Sequence, residues 1–328
     1  KLKFQDVFIE PRVIHGLRYP WGWSWHYLDA AYAPRITGLI LDGNTFKLNL
    51  RPGKKVGDTI EYDFMPKFSD ITIENNAITF EVDSGFKIDL YRELGSNRIH
   101  IYGGLGINYP GREIPIALVD PLQSHCELIT NLFGPETRTT ILDHNDSIPE
   151  IDLIDSIASP QLFLILKEMN YNSENLYAEA IINVLGQSDT TPSSLHHGIQ
   201  IEKEILSRLG IDTSSIAIYD GSGLSRFNRI TPLAMIKLLY ALYHSRYRDH
   251  FLAMLPYGGK GTLWYRFKQE GPKVRCKTGT IYGVSCLSGY LLDEKRKIAF
   301  TIMINDYLKD RKSIERWQEY LCRRFLTP

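Results

Sequence analysis

At 328 residues, with 43% apolar and 23% charged side chains, the chain can bury a sizeable core in one large or two ordinary domains. Its 38 basic and 38 acidic residues cancel, which argues against a nucleic-acid partner, since that would call for a basic excess. No apolar run approaches the roughly 18–20 residues that cross a bilayer, so no transmembrane segment is expected in this chain. No leader is readable at Lys1, which opens on strand-like sequence as processing or truncation would leave it.

Residues 1–117 read as a β-rich domain. Trp21, Trp23 and Trp25 form a dense aromatic cluster. Such faces can stack on sugar rings, but more often they anchor a core, and the core reading is preferred. Phe46, Leu48 and Leu50 alternate and end at the turn signal Arg51-Pro52-Gly53. Ile60, Tyr62 and Phe64 repeat the pattern. Ile71 and Ile73, then Ile78 and Phe80, flank Asn75-Asn76, a spacing that predicts a hairpin. With 86–90 and 99–101 in the same period, an antiparallel sheet with short turns is expected.

The chain's one Ser-x-x-Lys match, Ser84-Gly85-Phe86-Lys87, falls in this part. On a helix, residues i and i+3 share a face and the amine can take the serine proton; on a strand they point apart. The strand-and-turn setting makes the match coincidental.

From Leu118 the period lengthens, and 118–328 is expected to form a second domain. A helix is predicted from Pro121 to Phe133. Asp143-His144-Asn145-Asp146 reads as a solvated turn rather than a metal site. A helix with the stripe Leu162, Leu166 and Met169 follows Ser159-Pro160 and ends at Asn170. Ser173 is placed to cap the next helix, Asn175 to Leu185. Further helices are predicted over 194–209 and 232–243, with a short strand at 216–219 between them. Strands are predicted over 273–280, 284–292 and 298–305. The last helix, 311–325, carries Ile314, Trp317 and Leu321 as its buried side. Helices, three sequential antiparallel strands and a closing helix make an α+β pattern. Cys276 and Cys286 are readable as a cross-strand disulfide or as free thiols. No C-x-x-C pair or i, i+4 histidine pair supports a metal site.

Three stretches carry chemistry: Ser173-Glu174-Asn175, Asp220-Gly221-Ser222-Gly223-Leu224-Ser225-Arg226 and Lys277-Thr278-Gly279-Thr280. Their order and flanks resemble the penicillin-binding, serine-type D-alanyl-D-alanine peptidases, whose signatures are Ser-x-x-Lys, Ser-x-Asn and Lys-Thr-Gly. Asn228–Pro232, Gly261-Thr262-Leu263 and Ser288-Gly289-Tyr290 look like the carboxypeptidase/endopeptidase branch with large inserted domains, the low-molecular-mass class C or peptidase S13 type.

The resemblance implies a β-lactamase-like transpeptidase domain over 118–328, with 1–117 as part of a β-rich insert. It implies peptidoglycan stem peptides ending in D-Ala-D-Ala as substrate, β-lactams as ligands and a periplasmic or cell-surface location. No cofactor or metal is implied. Ser173 is expected to relay a proton to the leaving amine, and Asn175 to hold the base and the substrate amide. Lys277 is expected to be the second cation that lowers the pKa of the base and, with Thr278, to bind the substrate carboxylate, and Gly279 to admit substrate backbone. The N–H of Thr280 is half of an oxyanion hole. The Ser-x-x-Lys helix is not recognisable, and the resemblance places nucleophile and base before Lys1. The preferred expectation is an enzyme or enzyme-derived fragment; the alternative is a non-catalytic relative that binds cell-wall peptides or acts as a scaffold.

Overall fold

A computed structural model describes residues 4–10, 14, 19–81, 85–142, 146, 155–188 and 194–326. The chain divides into two compact units, one formed by Lys1–Tyr19 and Trp23–Pro149, the other by Pro20–Gly22 and Glu150–Pro328. The division falls later than the change of hydrophobic period at Leu118, because the first helix packs on strand partners in the first unit rather than opening the second.

In the first unit, β1 (Asp6–Ile9) is followed by β2 (Thr45–Arg51), β3 (Glu61–Met65), β4 (Thr72–Asn75), β5 (Ile78–Phe80), β6 (Phe86–Arg92), β7 (Arg98–Gly106) and β8 (Arg112–Ala117). Then come α1 (Pro121–Phe133) and β9 (Arg138–Ile141). β2 lies between β3 and β8, antiparallel to both. Its alternation is as expected: Phe46, Leu48 and Leu50 are buried among Ile60, Ile99, Ile101, Leu105 and Ile116.

The predicted hairpin at Asn75-Asn76 does not form. β4 and β5 both run parallel to β7, in one register: Asn75 faces Ile101 and Ile78 faces Gly104. They are one strand with a two-residue break. Asn76 N–H still donates to Ile101 O at 2.8 Å, and the Asn75 side chain bonds Ile60 O at 2.7 Å and Ala77 N–H at 3.2 Å. The asparagine satisfies the interrupted backbone without reversing it. β1 and β9 are likewise parallel, so the unit is mixed rather than antiparallel.

The aromatic cluster is not a core anchor. Trp21 is 64% exposed and Trp25 is 56% exposed. Trp25 stacks on His26, while the Trp21 carbonyl, in the second unit, accepts from Ser225 Oγ at 2.6 Å.

The second unit contains α2 (Leu162–Asn172), α3 (Asn175–Leu185), α4 (Leu195–Arg208), α5 (Pro232–Tyr243), α6 (Arg248–Met254), β10 (Val274–Ile281), β11 (Val284–Leu292), β12 (Lys297–Asn305) and α7 (Arg311–Phe325). The last three strands form the expected antiparallel meander, with β10 at one edge. α7 packs on β11, and α5 packs on β12. Val274, Cys276, Leu287, Leu291 and Cys322 form the core between sheet and α7. The short α6 was not expected, and the predicted strand at 216–219 reduces to one bridge, Ala217 to Arg229.

The disulfide reading of Cys276 and Cys286 does not hold: both thiols are free. The register sets Cys276 against Gly289 and Cys286 against Gly279, so the two never face each other.

α3 and α4 approach closely at Gly198, where an added Cβ would lie 1.8 Å from Ile182 O. Gly198→Ala must push the helices apart, at an expected cost of about 1–3 kcal/mol. A denaturant melt that shows an unchanged midpoint would contradict this contact.

Candidate active site

The corner between α2 and α3 carries the first group of expected residues. α2 ends because Ser173 takes the left-handed conformation, φ 63° and ψ 51°, and its N–H closes on Met169 O. For a non-glycine residue this costs on the order of 1–2 kcal/mol, a strain typical of side chains held for a purpose. Ser173 is therefore not the N-cap of α3, as the sequence reading had it. Glu174 holds that position without a side-chain cap bond. The Ser173 hydroxyl is left for another partner, and it accepts from Lys277 Nζ at 2.7 Å. Asn175, two residues on, is the first residue of α3.

Lys277 reaches Ser173 because of strand alternation. Val274 and Cys276 point into the core toward α7, so Lys277 points to the opposite face. Its amine donates a second hydrogen bond to Thr278 O at 2.9 Å. An ammonium has three donors, and among the described residues the third is uncommitted. Burial pulls the amine from its ordinary range down to about 8.

The outer edge of β10 is half covered. Cys276 N–H donates to Pro256 O at 3.0 Å, and Gly258 N–H donates to Val274 O at 3.1 Å. In an antiparallel ladder, alternate residues turn their N–H and C=O to opposite edges. Thr278 and Thr280 thus face outward with Cys276, and among the described residues no strand lies beside them. The Thr278 hydroxyl donates to Thr262 Oγ1 at 3.2 Å. At the exposed Gly279 an added Cβ would meet only Cys286 Cβ, at 3.7 Å, so the chain's own packing does not demand glycine there.

The segment that brings Thr262 to Thr278 is tied to α7 by a fully buried arginine. Arg266 Nε pairs with Glu319 at 3.0 Å, and its NH2 donates to Gln318 Oε1 at 3.0 Å and Glu315 O at 3.2 Å. Gln318 in turn donates to Ser285 Oγ on β11 at 3.1 Å. The buried stripe of α7 is therefore Glu315, Gln318 and Cys322, while Trp317 of the expected stripe is half exposed. Thr262 and Arg266 are the site's contributors that were assigned no role from sequence. Gly261-Thr262-Leu263 was visible as a motif, but its contact with Thr278 was not.

Ser84 and Asp143-His144-Asn145 lie outside the described residues. Lys87 is on β6, opposite Gly104 of β7. Among the described residues, no group of three or more His, Cys, Asp or Glu is arranged to hold a metal ion, and no helix is long and apolar enough to cross a membrane.

Comparison with known proteins adds to this geometry. Residues 6–321 match the profile of the D-Ala-D-Ala carboxypeptidase 3 (S13) family, Peptidase S13. The D-alanyl-D-alanine carboxypeptidase of Actinomadura sp. (strain R39) is 25% identical over 300 residues, covering 84% of this chain and 55% of that protein. The penicillin-sensitive carboxypeptidase A of Dictyostelium discoideum is 27% identical over 306 residues, covering 88% of this chain and 59% of that protein. The chain thus spans little more than half the length of these relatives. The crystal structure of penicillin binding protein 4 (dacB) from Haemophilus influenzae shares the fold, with a TM-score of 0.82 at 22% identity, over 98% of this chain and 75% of that one. The α+β architecture, a transpeptidase-like domain with an additional sheet domain, is that of this structure.

Proposed function

The chain belongs to the D-Ala-D-Ala carboxypeptidase 3 (S13) family, and from that premise we propose that it forms the peptide-holding part of a serine-type D-alanyl-D-alanine carboxypeptidase/endopeptidase. Its substrates are peptidoglycan stem peptides, its chemistry passes through an acyl-enzyme, and β-lactams enter the same site. Its location is the periplasm or cell surface, where that polymer lies. The first unit corresponds to the β-rich inserted domain.

The observation that carries the reading is the 2.7 Å hydrogen bond from Lys277 to Ser173 beside an uncovered stretch of β10. An extended peptide laid along that edge pairs with the outward groups of Thr278 and Thr280. Its terminal carboxylate takes the third N–H of Lys277 and the hydroxyl of Thr278. Gly279 keeps the strand surface low enough for the peptide backbone. A serine from a Ser-x-x-Lys helix attacks the penultimate D-alanine carbonyl, and its lysine takes the serine proton. Ser84-Gly85-Phe86-Lys87 is not assigned that part, because Lys87 sits on a strand. The carbonyl oxygen gathers negative charge against the N–H of Thr280. Because Lys277 donates to Ser173 Oγ, the Ser173 hydrogen is free to pass to the leaving amine of the terminal D-alanine. Asn175 holds the base and the substrate amide. Water or an amine then takes the acyl group from the serine.

The test is a titration with three peptides: one ending in D-Ala-D-Ala, its C-terminal amide and its L-Ala-L-Ala isomer, with free D-alanine assayed in parallel. The free acid is expected to bind at least about tenfold more tightly than the amide, because only the acid pairs with the buried amine. Equal binding of acid and amide ends this reading. Binding of the acid without release of D-alanine is the expected result for a peptide-holding part; a cell-wall-peptide-binding relative is identified when a protein that also carries a Ser-x-x-Lys helix still releases none.

A further inference from the structure

Glu179 lies one helical turn after Asn175 on α3, so the two residues share a face. It is 1% exposed, and a carboxyl buried so deeply is unusual unless it is bonded. Its Oε1 accepts the backbone N–H of Ser222 at 2.9 Å and of Gly221 at 3.1 Å. Its Oε2 is buried without a hydrogen-bond partner among the described residues. The turn it grips is built around a second buried carboxyl. Asp220 accepts from Gly223 N–H at 3.0 Å, Ser225 N–H at 2.5 Å and Asn228 Nδ2 at 2.6 Å. The N–H groups of the turn are thus divided: those of Gly223 and Ser225 point inward to Asp220, those of Gly221 and Ser222 outward to α3. The turn lies flat on the helix, since a Cβ on Gly221 would meet Ala178 O at 2.5 Å.

We infer that Glu179 is a positioning residue for the proposed site: by fastening the turn Asp220–Ser225 to α3, its carboxyl fixes the corner that presents Ser173 and Asn175 to Lys277. The assignment rests on the functional reading above for what the corner serves, but not for the clamp itself. Only an acceptor oxygen is required at this place. A carboxylate is more than the two N–H groups need, and its negative charge is unwelcome there. Burial first, and Asp220 second, push the Glu179 carboxyl up to about 7. The charged group that acts on Glu179 is Asp220 on the turn; Asp220 also acts on Glu202 of α4, as does Lys203.

The sign of the pH effect follows. A carboxyl raised in the folded state binds its proton more tightly folded than unfolded. Its contribution to stability is full below the unfolded value near 4.5 and is lost as pH rises toward 7. The neutral acid and a glutamine offer the same acceptor oxygen.

Glu179→Gln and Glu179→Ala are to be compared with the unaltered chain. The readouts are the melting temperature from pH 5 to 8, amide hydrogen exchange at Gly221 and Ser222, and affinity for a D-Ala-D-Ala peptide. The glutamine variant is expected to keep affinity and exchange protection and to lose the part of the decline in melting temperature between pH 5 and 7 that the Glu179 carboxyl contributes, the raised Glu202 carboxyl keeping its own share. The alanine variant is expected to exchange faster at Gly221 and Ser222 and to bind peptide about tenfold more weakly, as a displaced catalytic corner should. A folded alanine variant with unchanged exchange and affinity overturns the assignment. So does a glutamine variant that is impaired as much as alanine. If the unaltered chain binds no such peptide while the exchange differences appear as stated, the functional reading fails and the clamp stands.

Discussion

Lys277→Ala is expected to weaken binding of a peptide ending in D-Ala-D-Ala by about two orders of magnitude, the scale found when one partner of a buried charge pair is removed. The alanine takes away the amine that Ser173 and Thr278 already hold in place, and the carboxylate arrives in a site with no counter-charge. Calorimetric titration measures this directly, and an affinity within threefold of the unaltered protein would sink the proposed role. The pH dependence supplies a second check with two opposite signs. Burial holds the Lys277 amine at about 8, below its value in the unfolded chain. Between 8 and that higher value, the unfolded chain binds more protons, so the stability of the ligand-free protein rises with pH from this group. Over the same window the ammonium disappears, and carboxylate binding falls. Lys277→Ala should remove both slopes together.

Arg266→Ala is expected to cost about 3 kcal/mol, because it leaves the Gln318 oxygen and the Glu315 carbonyl without their buried donor and Glu319 with Arg323 as its one cation. In a unit of this size that corresponds to a fall of about 10 °C in melting temperature. Arg266→Lys should restore little: one ammonium cannot reproduce a planar fork that addresses Glu319, Gln318 and the Glu315 carbonyl at once. Below the melting transition, peptide affinity should also drop, since Thr262 loses the anchor that sets it beside Thr278. A melting temperature unchanged by Arg266→Ala would show the network to be dispensable.

What was legible in the sequence was local. α3, α5, β11 and α7 begin and end where periodicity placed them, because hydrophobic spacing and a proline such as Pro232 act within one element. The Lys-Thr-Gly stretch was plain as a motif, and Ser-x-Asn took its weight from its flanks, Asn175 to Glu179 among them. What failed depends on partners far away in the chain. The direction of β4 and β5 is set by β7, which is not encoded in Asn75-Asn76. The left-handed Ser173 has no local signal, since serine ordinarily prefers a cap. The polar residues Glu315 and Gln318 fell outside the stripe expected on α7 because their partners, Arg266 and Ser285, lie on other elements. Glu179 was visible as part of a motif flank, but its burial becomes apparent only once the turn at Asp220 is folded against α3.

An uncovered strand edge invites pairing with any extended chain, including another copy of the same protein. On β10 the segment at Pro256–Gly258 occupies the edge as far as Cys276, and the hairpin to β11 ends the strand at Ile281. The remaining gap is too short to seed a cross-β stack, and a buried amine stands beside it. An intruding strand from the middle of a chain would run into the covering segment and leave that amine without a counter-ion. A chain end carrying a carboxylate meets neither obstacle. On the proposed reading, the same covering segment serves as a ruler for peptide termini and as a guard against self-association.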